Sequence, residues 1–276
     1  MSYRYQKGLT LIELMMASTL GLIASYFIMN IMITSARTAH LSEGISQSQE
    51  TGRLVMSWLK DSVINAGYES NYLNEESPEP LMSVCTGATT PPADNANCIF
   101  DTDLNANAGD RLAIRRTAGG LNPSTRDIQT CGGEALAASI INGQEEVSDV
   151  FWVSLNTADT DTSNDYQFQC VTYDKDGNRL GTAQTIANGI ESMQILVGIG
   201  DSEGNVTNFV SPSDVTDWKS VVGVRIALLA REFGNSTLED ERRIYGLLNS
   251  EPIEFKDRTA RYVQNGTIWF PNSKKM

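Results

Sequence analysis

Residues 7–33 read KGLTLIELMMASTLGLIASYFIMNIMI, and this stretch decides the architecture. From Leu9 to Ile33 the only charge is Glu13. As a helix the run is about 37 Å long, against a bilayer hydrocarbon core of ~30 Å, so it is long enough to cross a membrane. A secretory signal would carry a small-residue cleavage site after its apolar stretch. Here the candidate processing site, Gly8, comes before it, so cleavage between Gly8 and Leu9 would keep the helix and begin it at Leu9. Arg4 and Lys7 precede the run, which by the positive-inside tendency holds the N-terminus in the cytoplasm and sends the remainder across.

A carboxylate within a bilayer costs roughly 2.5–3.5 kcal/mol on translocon scales and so calls for a partner. Cleavage after Gly8 would create one, a charged amine at Leu9. Within one helix that amine lies about one turn from Glu13, and in a staggered stack of helices it can reach the Glu13 of another subunit. The plainer reading is that an acid in a first helical turn favours the helix dipole by about 0.3–1 kcal/mol.

The helix is expected to continue, because no proline precedes Pro78 and helical spacing persists. Leu41 and Ile45, then Val55, Leu59 and Val63, recur at intervals of four, with Met56 and Ile64 beside them. Glu43, Gln47, Gln49, Glu50, Arg53, Lys60 and Asp61 fill the other face. The stripe lapses between Ile45 and Leu54, and Gly21, Gly44 and Gly52 are weak points costing ~1 kcal/mol each in an isolated helix. The spacing therefore predicts an apolar segment over 9–33 and an amphipathic continuation over 34–66, stopping near Ala66-Gly67.

Composition changes after Gly67. Residues 74–109 are rich in Pro, Asn, Asp, Thr and Gly and read as a long irregular region. Strand-like runs follow at Arg111–Thr117, Val150–Leu155, Tyr166–Tyr173, Ile190–Val197, Val221–Arg231 and Arg261–Phe270. Asp174-Lys175-Asp176-Gly177-Asn178 is a hairpin turn. Strands without βαβ alternation predict an antiparallel sheet. The expected class is α+β, a long N-terminal helix packed on a β-rich head over 67–276.

The chain carries 21 Lys and Arg against 34 Asp and Glu, a formal net charge of −13, so direct binding of nucleic acid is not expected. Cys85, Cys98, Cys131 and Cys170 all lie beyond the membrane segment, and an even count in an oxidising compartment suggests two disulfides. Three pairings are open; the sequential one joins Cys85 to Cys98 and Cys131 to Cys170. Zinc is a poor competitor, because there is no Cys-x-x-Cys and the single histidine, His40, lies on the helix. Asp101-Thr102-Asp103, Asp159-Thr160-Asp161 and the run Gly200 to Asn205 fit a calcium loop only in part and read as acidic turns. Gly198, Gly200 and Gly204 miss the dinucleotide fingerprint. No catalytic site or cofactor is expected. Sequons at Asn205, Asn235 and Asn265 carry little weight.

The arrangement K-G-L-T-L-I-E-L after a short basic leader resembles the class III signal of type IV pilins and type II secretion pseudopilins. That resemblance implies a leader over 1–8, cleavage by a prepilin peptidase after Gly8 and N-methylation of Leu9, which stands where the family usually has phenylalanine. It also implies Glu13 as the assembly glutamate. Three later stretches, IANGIESMQILVGIGD, WKSVVGVRIALLAREF and RYVQNGTIWFPN, follow a helix ending LVMSWLKDSVINAGY and look like PilW-type minor pilins. The implied partners are other minor pilins and the major pilin, met through the N-terminal helix, together with the peptidase and an inner-membrane assembly platform. The implied setting is the inner membrane with the head in the periplasm, and then a surface pilus serving twitching motility, adhesion or DNA uptake. A J-type secretion pseudopilin shares the signal but has a shorter head than this chain, and a pilus-tip adhesin is the other alternative.

Overall fold

A computed structural model describes residues 8, 10–70, 78–86, 96–102, 108–120, 123–155, 166–201, 203–233 and 241–273. Leu9, Asp103, the acids at 159 and 161 and the Asn235 sequon lie outside the described residues. One helix, α1, runs unbroken over Leu11–Val63, 53 residues. In its apolar half the few polar side chains satisfy themselves on the helix's own carbonyls: Thr19 Oγ1 on Met15 O at 3.1 Å, Ser25 Oγ on Gly21 O at 2.8 Å, and Asn30 Nδ2 on Tyr26 O at 3.1 Å. A hydroxyl bonded this way can sit in hydrocarbon without an outside partner.

The helix ends at Val63, three residues before the stop expected at Ala66. A turn over 64–67 follows, and Gly67 takes the positive φ of 73° that reverses the chain. The Gly67 N–H then donates to Arg115 O at 2.8 Å, fixing the exit onto the head. From the far end of the sequence, Asn272 Nδ2 donates to Ile64 O at 3.2 Å and to Ala66 O at 3.4 Å, so a side chain closes carbonyls that the helix end leaves open.

Among the described residues, ten strands build the head. β1 (Leu112–Thr117), β2 (Glu146–Leu155), β3 (Tyr166–Asp174) and β4 (Arg179–Asn188) form one antiparallel sheet in that order. The second contains β5 (Ile190–Gly200), β6 (Val206–Val210), β7 (Val221–Arg231) and β10 (Arg261–Trp269), in the order β10-β7-β5-β6. A hairpin of β8 (Glu241–Tyr245) and β9 (Ile253–Asp257) stands apart. All these pairings are antiparallel. A short helix, α2 (Ala138–Gly143), buries Ile140 against Ala118, Leu136 and Val147.

The expected strands agree with β1, β2, β3, β5, β7 and β10 to within a few residues; β4, β6, β8 and β9 have no counterpart among them, although the hairpin turn expected at 174–178 does lead into β4. The core lies between the two sheets and α1, with Phe151, Phe168, Tyr173, Ile195, Ile226 and Leu59 fully buried. The irregular region contributes to it, because Leu81 bridges Ile114, Val84 bridges Ile99, and both Leu81 and Ile99 are fully buried.

Candidate assembly interface

Among the described residues, the N-terminal half of α1 touches nothing else in the chain. From Leu11, 78 % exposed, to Ile33 its large apolar side chains all face outward, and none of its most apolar window is buried. An apolar surface of this size on every side of a helix is stable only in lipid or against other helices. At its start Thr10 is the N-cap: its N–H and Oγ1 donate to Glu13 Oε2 at 2.9 and 2.8 Å, and its Oγ1 accepts from the Glu13 N–H at 3.4 Å. This reciprocal capping box engages one carboxylate oxygen of Glu13 within the subunit, and the residue is exposed. Gly8 is exposed two residues before the cap. The Thr-x-x-Glu spacing was present in the sequence, and it identifies Thr10 as the residue that sets the helix start.

Further along, α1 lies on β10 and β7, and its buried positions are Gly44, Ser48, Gly52, Val55, Leu59, Ser62 and Val63. Where the apolar stripe lapses, a stripe of small residues takes over. A Cβ on Gly52 would meet Gln264 Cβ at 3.0 Å and Ala230 Cβ at 3.5 Å, and one on Gly44 would overlap the Glu232 carboxylate. Ser48 Oγ donates to Gly44 O at 2.8 Å and approaches Ala260 O at 3.3 Å. The contact is mutual, since Gly266 of β10 leaves the space that Met56 fills. Gly44 and Gly52 are thus points of close approach rather than weak points. Nearer the helix end, Trp58 packs edge-on against Phe151 at 5.5 Å and Phe168 at 6.2 Å, joining α1 to the first sheet.

Ionic contacts fix the region where the helix first meets the head. Glu232 Oε1 accepts from the Ala260 N–H at 2.9 Å. Arg261, nearly buried, is held by Glu191 and by Asp257 at 2.7 Å, while Arg231 approaches Glu191 at 3.5 Å. The Arg261 guanidinium also lies 3.6 Å from the Phe255 ring centre. Burial pushes the Asp257 carboxyl up, but hydrogen bonds from Arg261 and the Thr259 N–H, with the charges of Arg261 and Arg231, outweigh it and hold the carboxyl below its ordinary range.

The structure pairs Cys85 with Cys98, Cα atoms 5.1 Å apart, and Cys131 with Cys170, 6.2 Å apart. The first closes the irregular region. The second ties the segment before α2 to β3, beside a buried pair in which Arg116 Nε donates to Asp149 Oδ2 at 2.8 Å. The calcium-like run is a hairpin turn. Asp201 Oδ1 accepts the N–H groups of Glu203 and Asn205, each at 2.9 Å, and these contacts, Asn205 first, hold its carboxyl below the ordinary range. Asp174 does the same for Asp176 and Asn178, so D-K-D-G-N and D-S-E-G-N are one turn used twice, between β3 and β4 and between β5 and β6. Among the described residues no group of three His, Cys, Asp or Glu is arranged to hold a metal.

Comparison with known proteins bears on both halves. Residues 150–272, from β2 to beyond β10, match the family described as Type IV Pilus-assembly protein W. Residues 3–25 match the prokaryotic N-terminal methylation motif. No curated protein matches the chain. Among solved structures, a type IV-like pilin from Thermus thermophilus is similar over 81 % of this chain and 95 % of its own, with 10 % identity and a TM-score of 0.42. A prepilin motif thus opens the exposed apolar helix, and the head from residue 150 onward is similar to the family of the type IV pilus-assembly protein W.

Proposed function

We propose that this protein is a non-enzymatic subunit that primes or joins a type IV pilus, and thereby supports motility, adhesion or DNA uptake. It is cleaved between Gly8 and Leu9, methylated at Leu9, held in the inner membrane with its N-terminus cytoplasmic and its head periplasmic, and then drawn into the pilus by its helix. The observation that carries this reading is the helix half over Leu11–Ile33, bare on every side and bearing one carboxylate one turn from the proposed cleavage point. Its packing partners would be the equivalent helices of other minor pilins and the major pilin.

In this reading Glu13 pairs with the Leu9 amine of a neighbouring subunit. The capping box supports it: Thr10 engages Oε2, which leaves Oε1 for a donor from outside. Two charges that meet in an apolar stack relieve the penalty each would suffer alone.

Mass spectrometry of the mature N-terminus tests processing. The expected species begins with N-methylated Leu9; an intact Met1 would remove the proposal. Glu13→Ala should still be cleaved yet enter sheared pili at a small fraction of the normal level, and normal incorporation would overturn the charge pairing. Unchanged piliation with lost attachment in a deletion strain would favour the tip adhesin. Loss of secretion with intact pili would favour the secretion pseudopilin.

A further inference from the structure

Across the second sheet four residues stand in one register row: Trp269 of β10 opposite Gly223 of β7, Gly223 opposite Gly198 of β5, and Gly198 opposite Phe209 of β6. The two glycines leave the outer face of the sheet bare, and the two rings lean inward to lie over them. The Trp269 ring comes within 2.9 Å of where a Cβ on Gly223 would stand, and the Phe209 ring within 3.1 Å of the same point on Gly198. The ring centres are 6.4 Å apart, although their strands are separated by three spacings, about 14 Å. One row further along, the Arg225 guanidinium lies 4.0 Å from the Phe209 ring centre, and its Nε donates to Thr267 Oγ1 at 3.4 Å.

The rest of this face is roofed. Ala227 and Leu229 are buried beneath Tyr245, Leu247 and Phe255 of the β8–β9 hairpin and its loop. The roof stops short of the glycine row, and Trp269 remains 54 % exposed. What is left is an open shelf with an aromatic floor, walled on one side by the hairpin.

We propose that this shelf binds an acidic saccharide, one sugar ring stacking on Trp269 and its carboxylate meeting Arg225. An aromatic face carries the negative side of the ring quadrupole and attracts the polarised C–H groups on the apolar face of a pyranose. A guanidinium presents a planar fork that matches a carboxylate. Among the described residues no carboxylate pairs with Arg225, although the chain as a whole has a net charge of −13. Size separates a sugar from a protein partner. Two rows of side chains across four strands span about 14 by 7 Å, roughly 100 Å², whereas a stable protein interface takes ~800 Å² from each side. A shelf of that extent suits one or two sugar rings.

The test uses the full-length protein in detergent micelles, with 3′-sialyllactose and digalacturonic acid as acidic probes and lactose as the neutral control, followed by saturation-transfer NMR and isothermal titration. At least one acidic probe should bind saturably and at least fivefold more tightly than lactose. Trp269→Ala should weaken that binding tenfold or more. Trp269→Phe keeps a ring over Gly223, so the sheet stays covered and part of the binding survives. Arg225→Gln should abolish the preference for the acidic probe. No saturable binding to the folded wild-type protein, or equal binding by the Trp269→Ala and Arg225→Gln variants, would overturn the proposal. If neither probe binds and the same substitutions instead abolish capture of another pilin head, the shelf is a protein-docking face and the proposal also fails.

Discussion

Gly44 of α1 lies directly beneath the carboxylate of Glu232, which fills the space a side chain at position 44 would need. Glu232 is itself buried and tied to the Ala260 N–H, so the helix can approach the head here only because position 44 has no side chain.

Gly44→Ala is therefore expected to destabilise the protein. Helix propensity favours alanine by ~1 kcal/mol, but displacing the Glu232 carboxylate from its N–H donor costs about 1.5–3 kcal/mol, so the net loss is roughly 0.5–2 kcal/mol. At Gly52 the nearest obstacle is a side-chain carbon at 3.0 Å, which has only to shift by a few tenths of an ångström. Gly52→Ala should accordingly leave stability within ~1 kcal/mol of wild type. Thermal melts of the two variants, compared side by side, check the ordering.

Glu191 stands between two arginines, Arg261 and Arg231, with almost no exposure. Removing it takes the carboxylate from Arg231 and leaves Arg261 with Asp257 alone, so Glu191→Ala should cost up to about 3–5 kcal/mol. Urea titration at neutral pH would show the loss as a lowered midpoint with an unchanged slope.

The same cluster predicts an acid limb. The Asp257 carboxyl titrates below its unfolded value, so the stability it contributes is present above pH ~4 and is lost as pH falls through the folded pKa. Asp257→Asn should flatten the decline in melting temperature below pH ~4 while lowering stability at neutral pH. An acid limb as steep as that of the wild type would contradict the assignment.

The disulfides are unequal on entropic grounds. Closing the 39-residue interval between Cys131 and Cys170 is worth about 4 kcal/mol and the 13-residue interval between Cys85 and Cys98 about 3 kcal/mol. Replacing the first pair by serine should therefore lower the melting temperature more, and by a wider margin because Cys170 is fully buried. Calorimetry of the two double variants decides it.

Calcium should not matter to the β5–β6 turn. The Asp201 carboxylate is already engaged by Glu203, Asn205 and the Asn205 side chain. Melting in chelator and in millimolar Ca²⁺ should give the same temperature, and a rise of several degrees with Ca²⁺ would show that the turn rearranges around an ion.

The helix and the strands that cross the core were legible in the sequence because both obey simple periods. Leu59 and Val63 recur at the spacing of a helix face, and Val224, Ile226 and Leu228 alternate along β7. The junction was less legible. Gly44, Ser48 and Gly52 follow the same helical period, but hydropathy cannot register a contact made by the absence of side chains. β8, reading Glu-Arg-Arg-Ile-Tyr, carries three charges in five residues and hides its role as a roof. The row of Trp269, Gly223, Gly198 and Phe209 draws on four strands whose register no local pattern reveals. In the same way Thr10 and Glu13 were close enough to be read together, whereas Asn272 and Ile64 are 208 residues apart.

That last separation has a bearing on the order of events during synthesis. β10, the strand along which α1 lies, is the last of the described strands in chain order, and the cap on the helix end comes after it. The stalk over 44–63 stays only partly covered, by β2, β3 and β7, until β10 has been made, because contacts of such long range form late. A chain ending at Asp257 should consequently be cut by protease within 44–63 faster than one that includes β10 and Asn272. The cover over the long helix is therefore finished only after β10 and Asn272 have been made, Asn272 standing 208 residues beyond Ile64 at the helix end.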